Sequence, residues 1–578
     1  VRQIEILKQL SKGTPVIVVG VTDMAYSEGD TIRSYDNIPG IIAAQKEASA
    51  EAGAWFWDPY MAMGGEGSII KWAQRKPPLG QNDYVHFTYS GADTLAKMLF
   101  QSIENEKPEI SHSLIRLTEG SDSTERIIQK SENVTNVTKS ENNPLQQIVN
   151  HVFGYFPDRP FIFTLPAFWI FLLISLAVYS LIYKKLFLRN AYLLIISLYF
   201  YYKSGGLFLF LLILVTVIDY TCGLLIYRYE KKGAKRFFIL LSIFSNLGML
   251  AYFKYTAFFA QTINDLFGTN IKVYDFLAEF SNNILGTSFD ISTIILPVGI
   301  SFFTFQSLSY TIDVFRNKIK PVTNIVDFGF YVSFFPQLVA GPIVRASEFI
   351  PQLYNDYHLS DREFRHALFM ICKGLIKKIV ISDFLAITLI DRVFETPALF
   401  SGFENLMAVY AYGLQIYCDF SGYTDIAIGI GLLFGFRLPI NFNSPYKASG
   451  VSEFWKRWHI SLSRWLKDYL YIPLGGSRKG RIRTGINLML TMLIGGLWHG
   501  ASLRFILWGA LHGIGLLADK TWIYLTGKKI RSSGVMKFIG IIITFNFVNF
   551  CWIFFRANDM ESALIMLRQI WENFSPGS

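Results

Sequence analysis

The chain has 578 residues, of which 51% are hydrophobic, 16% aromatic and only 17% charged. Its mean hydropathy is +0.32. So little charge cannot cover a water-facing surface, which excludes a disordered chain, a disulfide scaffold and an ordinary cytosolic enzyme, and makes lipid the solvent for much of the protein. The formal charge of +10, from 54 basic against 44 acidic residues, fits basic cytoplasmic loops and not nucleic acid as a partner.

Residues 1–108 read as a soluble zone with mixed charge. Within it, Thr14-Pro-Val-Ile-Val-Val-Gly20 predicts a buried strand of a parallel sheet, and residues 41–54 and 92–103 predict helices, an α/β order. Residues 109–143 are rich in Ser, Thr, Asn and Glu and read as a polar linker. The sequons at Asn133 and Asn136 read as chance within it. Residues 144–578 form the membrane zone. No residue from Phe161 to Tyr183 is charged, a length that crosses a bilayer. Later apolar stretches bring the expectation to roughly ten to twelve spans or re-entrant helices, some interrupted by Gly and Pro.

The basic residues Lys184, Lys185 and Arg189 follow the first span, and Arg228, Lys231, Lys232, Lys235 and Arg236 follow a later pair. Both clusters place those loops in the cytoplasm and the N-terminal zone outside. Residues 1–13 lack an apolar export signal, so a missing upstream segment is expected. Cys222, Cys372, Cys418 and Cys551 lie in or beside apolar stretches without CxxC spacing and read as buried thiols.

The densest chemistry lies at Asn441-Phe-Asn-Ser-Pro-Tyr446, at Glu453-Phe-Trp-Lys-Arg-Trp-His-Ile-Ser-Leu-Ser463, and at Gly495-Gly-Leu-Trp-His-Gly500. His499 ends an apolar stretch between glycines. An ionisable group at such depth is a functional hypothesis, set against the plain alternative of a core histidine bound to a backbone carbonyl. An imidazole that takes a proton from a hydroxyl and returns it supplies what acyl transfer to an alcohol needs. His459 is expected on a helix, with Trp455 at i−4 and Ser463 at i+4 on its face. His512 is the weaker candidate and reads as helix packing. Asp419 and Asp425 read as a polar network that fixes helices. Asp419, Asn441, Trp458 and Trp498 are the supporting candidates beside the two histidines, and no metal site is expected.

Those motifs, together with Leu296-Pro-Val-Gly-Ile-Ser-Phe-Phe-Thr-Phe305, Phe335-Pro-Gln-Leu-Val-Ala-Gly-Pro342 and Gln415-Ile-Tyr-Cys-Asp-Phe-Ser-Gly-Tyr423, resemble the membrane-bound O-acyltransferase family, above all its alginate-acetylating members. The resemblance implies that His499 is the catalytic histidine and His459 a second functional one, in a mostly α-helical polytopic fold with a tunnel joining the two sides. It implies a bacterial inner-membrane enzyme with acetyl-CoA or a related thioester as donor, no tightly bound cofactor, an extracytoplasmic polysaccharide as acceptor, and periplasmic SGNH-type acetyltransferases as partners.

The first zone resembles the C-terminal half of an SGNH (GDSL-type) esterase. Asp83-Tyr-Val-His86 matches its Asp-x-x-His block, and Trp57-Asp58 and Met61-Ala-Met-Gly-Gly-Glu-Gly67 fit the same neighbourhood. The family's serine block has no counterpart before Val1, so this partial α/β domain is expected to be a truncated piece or a remnant. The rival readings are a transporter or flippase using Asp419 and Asp425, and an inactive scaffold of a polymer-export machine.

Overall fold

The structure, a computed structural model, describes the chain apart from residues 1–3, 6–7, 9–14, 29–30, 76–78, 81–86, 107–152, 157–159, 286, 288, 340, 532–533 and 576–578. Asp83, His86 and the polar linker therefore lie outside the described residues. Backbone contacts divide the chain into two units, residues 1–150 and 151–578.

In the first unit β1 (Ile17–Val19) pairs in parallel with β4 (Trp55–Trp57), so that Ile17 stands opposite Trp55. The helix Ile38–Glu51 lies between them in sequence, the crossover that a parallel pair requires. β2 (Ala25–Glu28) and β3 (Thr31–Ser34) form a separate antiparallel hairpin. The helix Tyr89–Glu106 follows. The expected strand is present but not buried: Ile17 and Val18 are half-buried and Val19 is 46% exposed, because β1 belongs to a two-stranded sheet. A small core of Ala25, Met63, Ile69, Trp72 and Leu79 lies beside buried Asp23, whose carboxylate accepts from the Ile69 backbone N–H at 3.0 Å.

The second unit is helical, and its helices are patterned for lipid. Pro166–Ile182 buries Phe168, Leu172, Ser175 and Tyr179 along one stripe and turns Leu173 and Leu181 outward, the latter 84% exposed. Lys232–Phe267 buries Ser242 and Asn246 while Phe237, Leu240 and Phe244 face out. Outward faces that are themselves apolar, with Ser242 and Asn246 among the inward residues, differ from a soluble amphipathic helix and suit a hydrocarbon surround. Inward polar groups meet one another: Ser242 Oγ donates to Asp219 Oδ1 at 2.6 Å and Asn246 Nδ2 to Asp219 Oδ2 at 2.7 Å.

Among the described residues, Leu186–Arg228, Lys232–Phe267 and Gly534–Arg556 are long and apolar enough to cross a membrane by length and composition. The expectation of about ten to twelve spans or re-entrant helices also takes in shorter and more polar helices than these. Several stretches counted as spans are short and broken: Ile300–Phe315 has 16 residues, Ile325–Ser333 nine, and Phe335–Leu338 four. They are almost wholly buried in protein, which is where broken backbone is tolerated at membrane depth.

Two readings of single residues change. Arg189 is no loop charge: it is 2% exposed, its Nη1 donates to the Asn355 carbonyl at 2.9 Å and its Nη2 to the Leu353 carbonyl, and Asn190 beside it reaches Asp327 at 2.8 Å. Arg189→Met should therefore destabilise the fold by about 1–3 kcal/mol, because buried acceptors lose their donor. A lower Tm in detergent checks this, and an unchanged Tm contradicts it. Cys372 is exposed, while the other three cysteines are buried as expected.

Candidate active site

His499 is the last residue of the helix Gly480–His499. The chain leaves that helix at Gly500 in an extended conformation, and a Cβ there would stand 2.1 Å from the Phe505 ring, so any larger residue would have to displace that ring. The last carbonyls of the helix find donors on Lys232–Phe267: Tyr255 Oη donates to Leu497 at 2.6 Å, and Lys254 Nζ donates to Trp498. A cation at a helix C-terminus meets the negative end of the helix dipole.

His459 arrives from another direction and not on a helix. It breaks the expected helix into Val451–Arg457 and Ile460–Leu466, with φ 42° and ψ 56° in the left-handed region. Such a backbone costs a non-glycine residue about 1–3 kcal/mol and persists only where its surroundings enforce it. Asn441 enforces it: its carbonyl accepts from Ile460 N at 2.9 Å and its Oδ1 from Ser461 N at 3.1 Å. Ser461 Oγ in turn accepts from Ile343 N at 3.0 Å. The break also frees Trp455 from the face of His459, so that its Nε1 donates to His512 Nδ1 at 3.3 Å. His512 is fully buried in that packing role.

The two histidines meet at one cavity of about 310 Å³, whose wall includes Lys254, Ser301, Trp458, His459, Trp498 and His499, with Phe420, Trp552 and Phe555 completing an aromatic cage. The His459 ring meets the edge of Phe420 at 4.6 Å and lies 6.1 Å from Trp498. It is 2% exposed, and its Nε2 has no hydrogen-bond partner among the described residues. The His499 ring is half-buried, 4.8 Å from Trp498 and 5.1 Å from both Trp508 and Phe555. Two imidazoles and one ammonium set among aromatic rings meet in largely apolar surroundings, where electrostatic contacts are stronger than in water, and an imidazole there offers a base for a hydroxyl proton.

Residues 197–563 match the model of the membrane-bound O-acyltransferase family. The chain is 39% identical over 403 residues to a peptidoglycan O-acetyltransferase of Helicobacter pylori, an alignment covering 65% of this chain and 72% of that one. The chain belongs to the membrane-bound O-acyltransferase family. It is also 39% identical over 397 residues to a probable alginate O-acetylase of Pseudomonas aeruginosa, covering 68% of this chain and 72% of the relative. A teichoic acid D-alanyltransferase of Streptococcus thermophilus is 29% identical over 293 residues, covering 46% and 69%. The chain is thus an O-acyltransferase with a membrane domain. The family match takes in His459, His499 and the whole cavity wall, and the first unit lies outside it.

Of the supporting candidates in this acyltransferase, Trp458 and Trp498 line the cavity. Asn441 does not: it is buried behind His459 and acts on the backbone. Asp419 is likewise absent from the wall, with its side chain 43% exposed and paired to Lys378 at 2.7 Å. Asp425 pairs with Lys377 at 2.7 Å and Lys373 at 3.2 Å. These carboxylates tie helices together. Lys254, Trp552 and Phe555 are cavity residues that reading the sequence missed, and Ser301 was quoted only as part of a motif. A lysine within a long apolar stretch was itself a signal.

Asn441→Ala should lower turnover while leaving His499 in place, because the His459 turn loses its Oδ1 anchor. We expect about a tenfold fall in kcat, the scale of a small misplacement in a caged site. Full activity in Asn441→Ala membranes would show that the turn holds itself.

Proposed function

We propose that this acyltransferase moves acetyl groups from a cytoplasmic thioester, acetyl-CoA or a related donor, to hydroxyls of an extracytoplasmic polysaccharide. His499 is the general base. The observation that carries this reading is the convergence of His499 and His459 on one aromatic cavity, from chain segments 40 residues apart. The acceptor hydroxyl gives its proton to His499 as its oxygen bonds to the thioester carbonyl carbon. When the C–S bond breaks, the imidazolium returns that proton to the leaving thiolate. His459, held by a strained turn, orients donor or acceptor from the facing wall.

The names carried by relatives, a peptidoglycan O-acetyltransferase and a probable alginate O-acetylase, support acetyl as the group and a cell-surface polymer as the acceptor. The same reading places the protein in the bacterial inner membrane with residues 1–108 outside. There that zone would act as an SGNH-like module or dock periplasmic SGNH-type acetyltransferases. The paired state of Asp419 and Asp425 does not favour a carrier that cycles free carboxylates.

The test is transfer of radiolabelled acetyl from acetyl-CoA in membranes carrying the chain, with alginate oligomers and peptidoglycan fragments as parallel acceptors and with protein and glycan counted separately. Glycan label that vanishes with His499→Ala is the expected result. Equal label in wild type and variant overturns the reading.

A further inference from the structure

Lys254 presents an ammonium to the wall of the cavity that holds His459 and His499. Its Nζ donates to the Trp498 carbonyl, lies 3.5 Å from Ser301 Oγ, and sits 5.6 Å from the centre of the Trp498 ring. Among the described residues no carboxylate pairs with it. An ammonium has three protons to donate, so with one on Trp498 and a second at the limit of reach to Ser301, one remains for whatever fills the cavity.

A lysine is a costly way to cap a helix at this depth, and the neighbouring carbonyl of Leu497 is capped by the neutral hydroxyl of Tyr255 at 2.6 Å. The helix dipole favours a cation here by only about 0.3–1 kcal/mol, less than the cost of keeping an ammonium at this depth. What does call for charge is a thioester carbonyl becoming an oxyanion, as it must when a hydroxyl adds to it.

We propose that Lys254 is the oxyanion donor of the acyl transfer, a catalytic residue of this chain; the assignment rests on the acyl-transfer reading above. As the acceptor oxygen bonds to the carbonyl carbon, the C=O π pair moves onto oxygen and is met by the remaining N–H of Lys254, while His499 holds the hydroxyl proton. Collapse re-forms the carbonyl, breaks the C–S bond and sends the proton from His499 to the thiolate, so Lys254 leaves the cycle unchanged. The contact to Trp498 fixes the ammonium beside His499, because Trp498 and His499 are consecutive residues at one helix end. Base and oxyanion donor are thereby placed by the same turn of backbone.

The experiment compares wild type, Lys254→Met, Lys254→Arg and His499→Ala as full chains in membranes, with labelled acetyl-CoA as donor and alginate oligomers and peptidoglycan fragments as acceptors. Lys254→Met should lose about 10²- to 10³-fold in kcat with little change in the KM for acetyl-CoA and only a small fall in detergent Tm from the lost contact to the Trp498 carbonyl, and Lys254→Arg should recover part of the loss in kcat. A wild-type kcat in Lys254→Met overturns the proposal. So does a loss that accompanies a large fall in Tm and is equal in Lys254→Arg, since that marks a helix cap only. If Lys254→Met keeps its rate while His499→Ala loses it, the oxyanion assignment alone fails. If both keep it, the acyl-transfer reading fails with it.

Discussion

His499→Gln should lower kcat for acetyl transfer by about 10²- to 10⁴-fold, the range that a positioned general base contributes. Glutamine keeps a polar, roughly isosteric side chain at the end of the Gly480–His499 helix but has no nitrogen that accepts and returns a proton at neutral pH. The fold should survive. The ring's neighbours, Trp508 and Phe555 at 5.1 Å, make edge contacts that a shorter side chain loses at modest cost. The measurement is single-turnover transfer from acetyl-CoA alongside detergent Tm, with Asp419→Asn as the companion. Asp419 pairs with Lys378 on a side chain 43% exposed, and pairs of that kind are worth about 0–1 kcal/mol, so its loss should leave turnover near wild type. The reverse result, with His499→Gln active and Asp419→Asn dead, would point to transport chemistry and end the base assignment.

His499 was legible in the sequence because every cue to it is local: an apolar run, flanking glycines and one titratable side chain at the end. The helix expected around His459 failed for a reason that no local pattern contains. Residues 453–463 have helical spacing, yet the backbone turns left-handed at His459 because Asn441, 18 residues earlier, holds both following N–H groups. Tertiary hydrogen bonds outweigh propensity there. Lys254 was missed because it lies 245 residues before His499, on a helix whose relation to the site only packing creates. Arg189 was misread for the opposite reason. Next to Lys184 and Lys185 it looks topogenic, whereas its guanidinium turns inward onto backbone carbonyls near residues 353–355. Charge counting finds loops, but it does not tell which arginine of a cluster is structural.

The packing that sets His499 in place depends on a glycine seam, and Gly496→Ala should break it. A Cβ on Gly496 would lie 2.2 Å from the Phe505 carbonyl oxygen and 3.3 Å from Gly509 Cα, both backbone atoms of the Leu503–Arg531 helix. The contact is reciprocal, since a Cβ on Gly509 would lie 2.4 Å from the Met492 carbonyl oxygen. Two helices that approach through facing glycines have no flexible side chain to yield, so the methyl must push the helix axes apart. Overpacking of this kind costs about 1–3 kcal/mol. The catalytic cost is larger, because His499 lies one turn beyond Gly496 and packs on Trp508 of the displaced helix. A shift of about 1 Å there is enough for roughly a 10²-fold loss in kcat. Gly495→Ala separates the seam from a general intolerance of the motif: its Cβ would meet only Leu466 Cδ1 at 3.4 Å, the tip of a side chain that can turn aside. We therefore expect Gly496→Ala to lower both detergent Tm and acetyl transfer while Gly495→Ala keeps both near wild type. Both variants near wild type would mean that the helices yield to the methyl, and both equally impaired would mean a general intolerance of the motif; either result removes the seam as what positions the base.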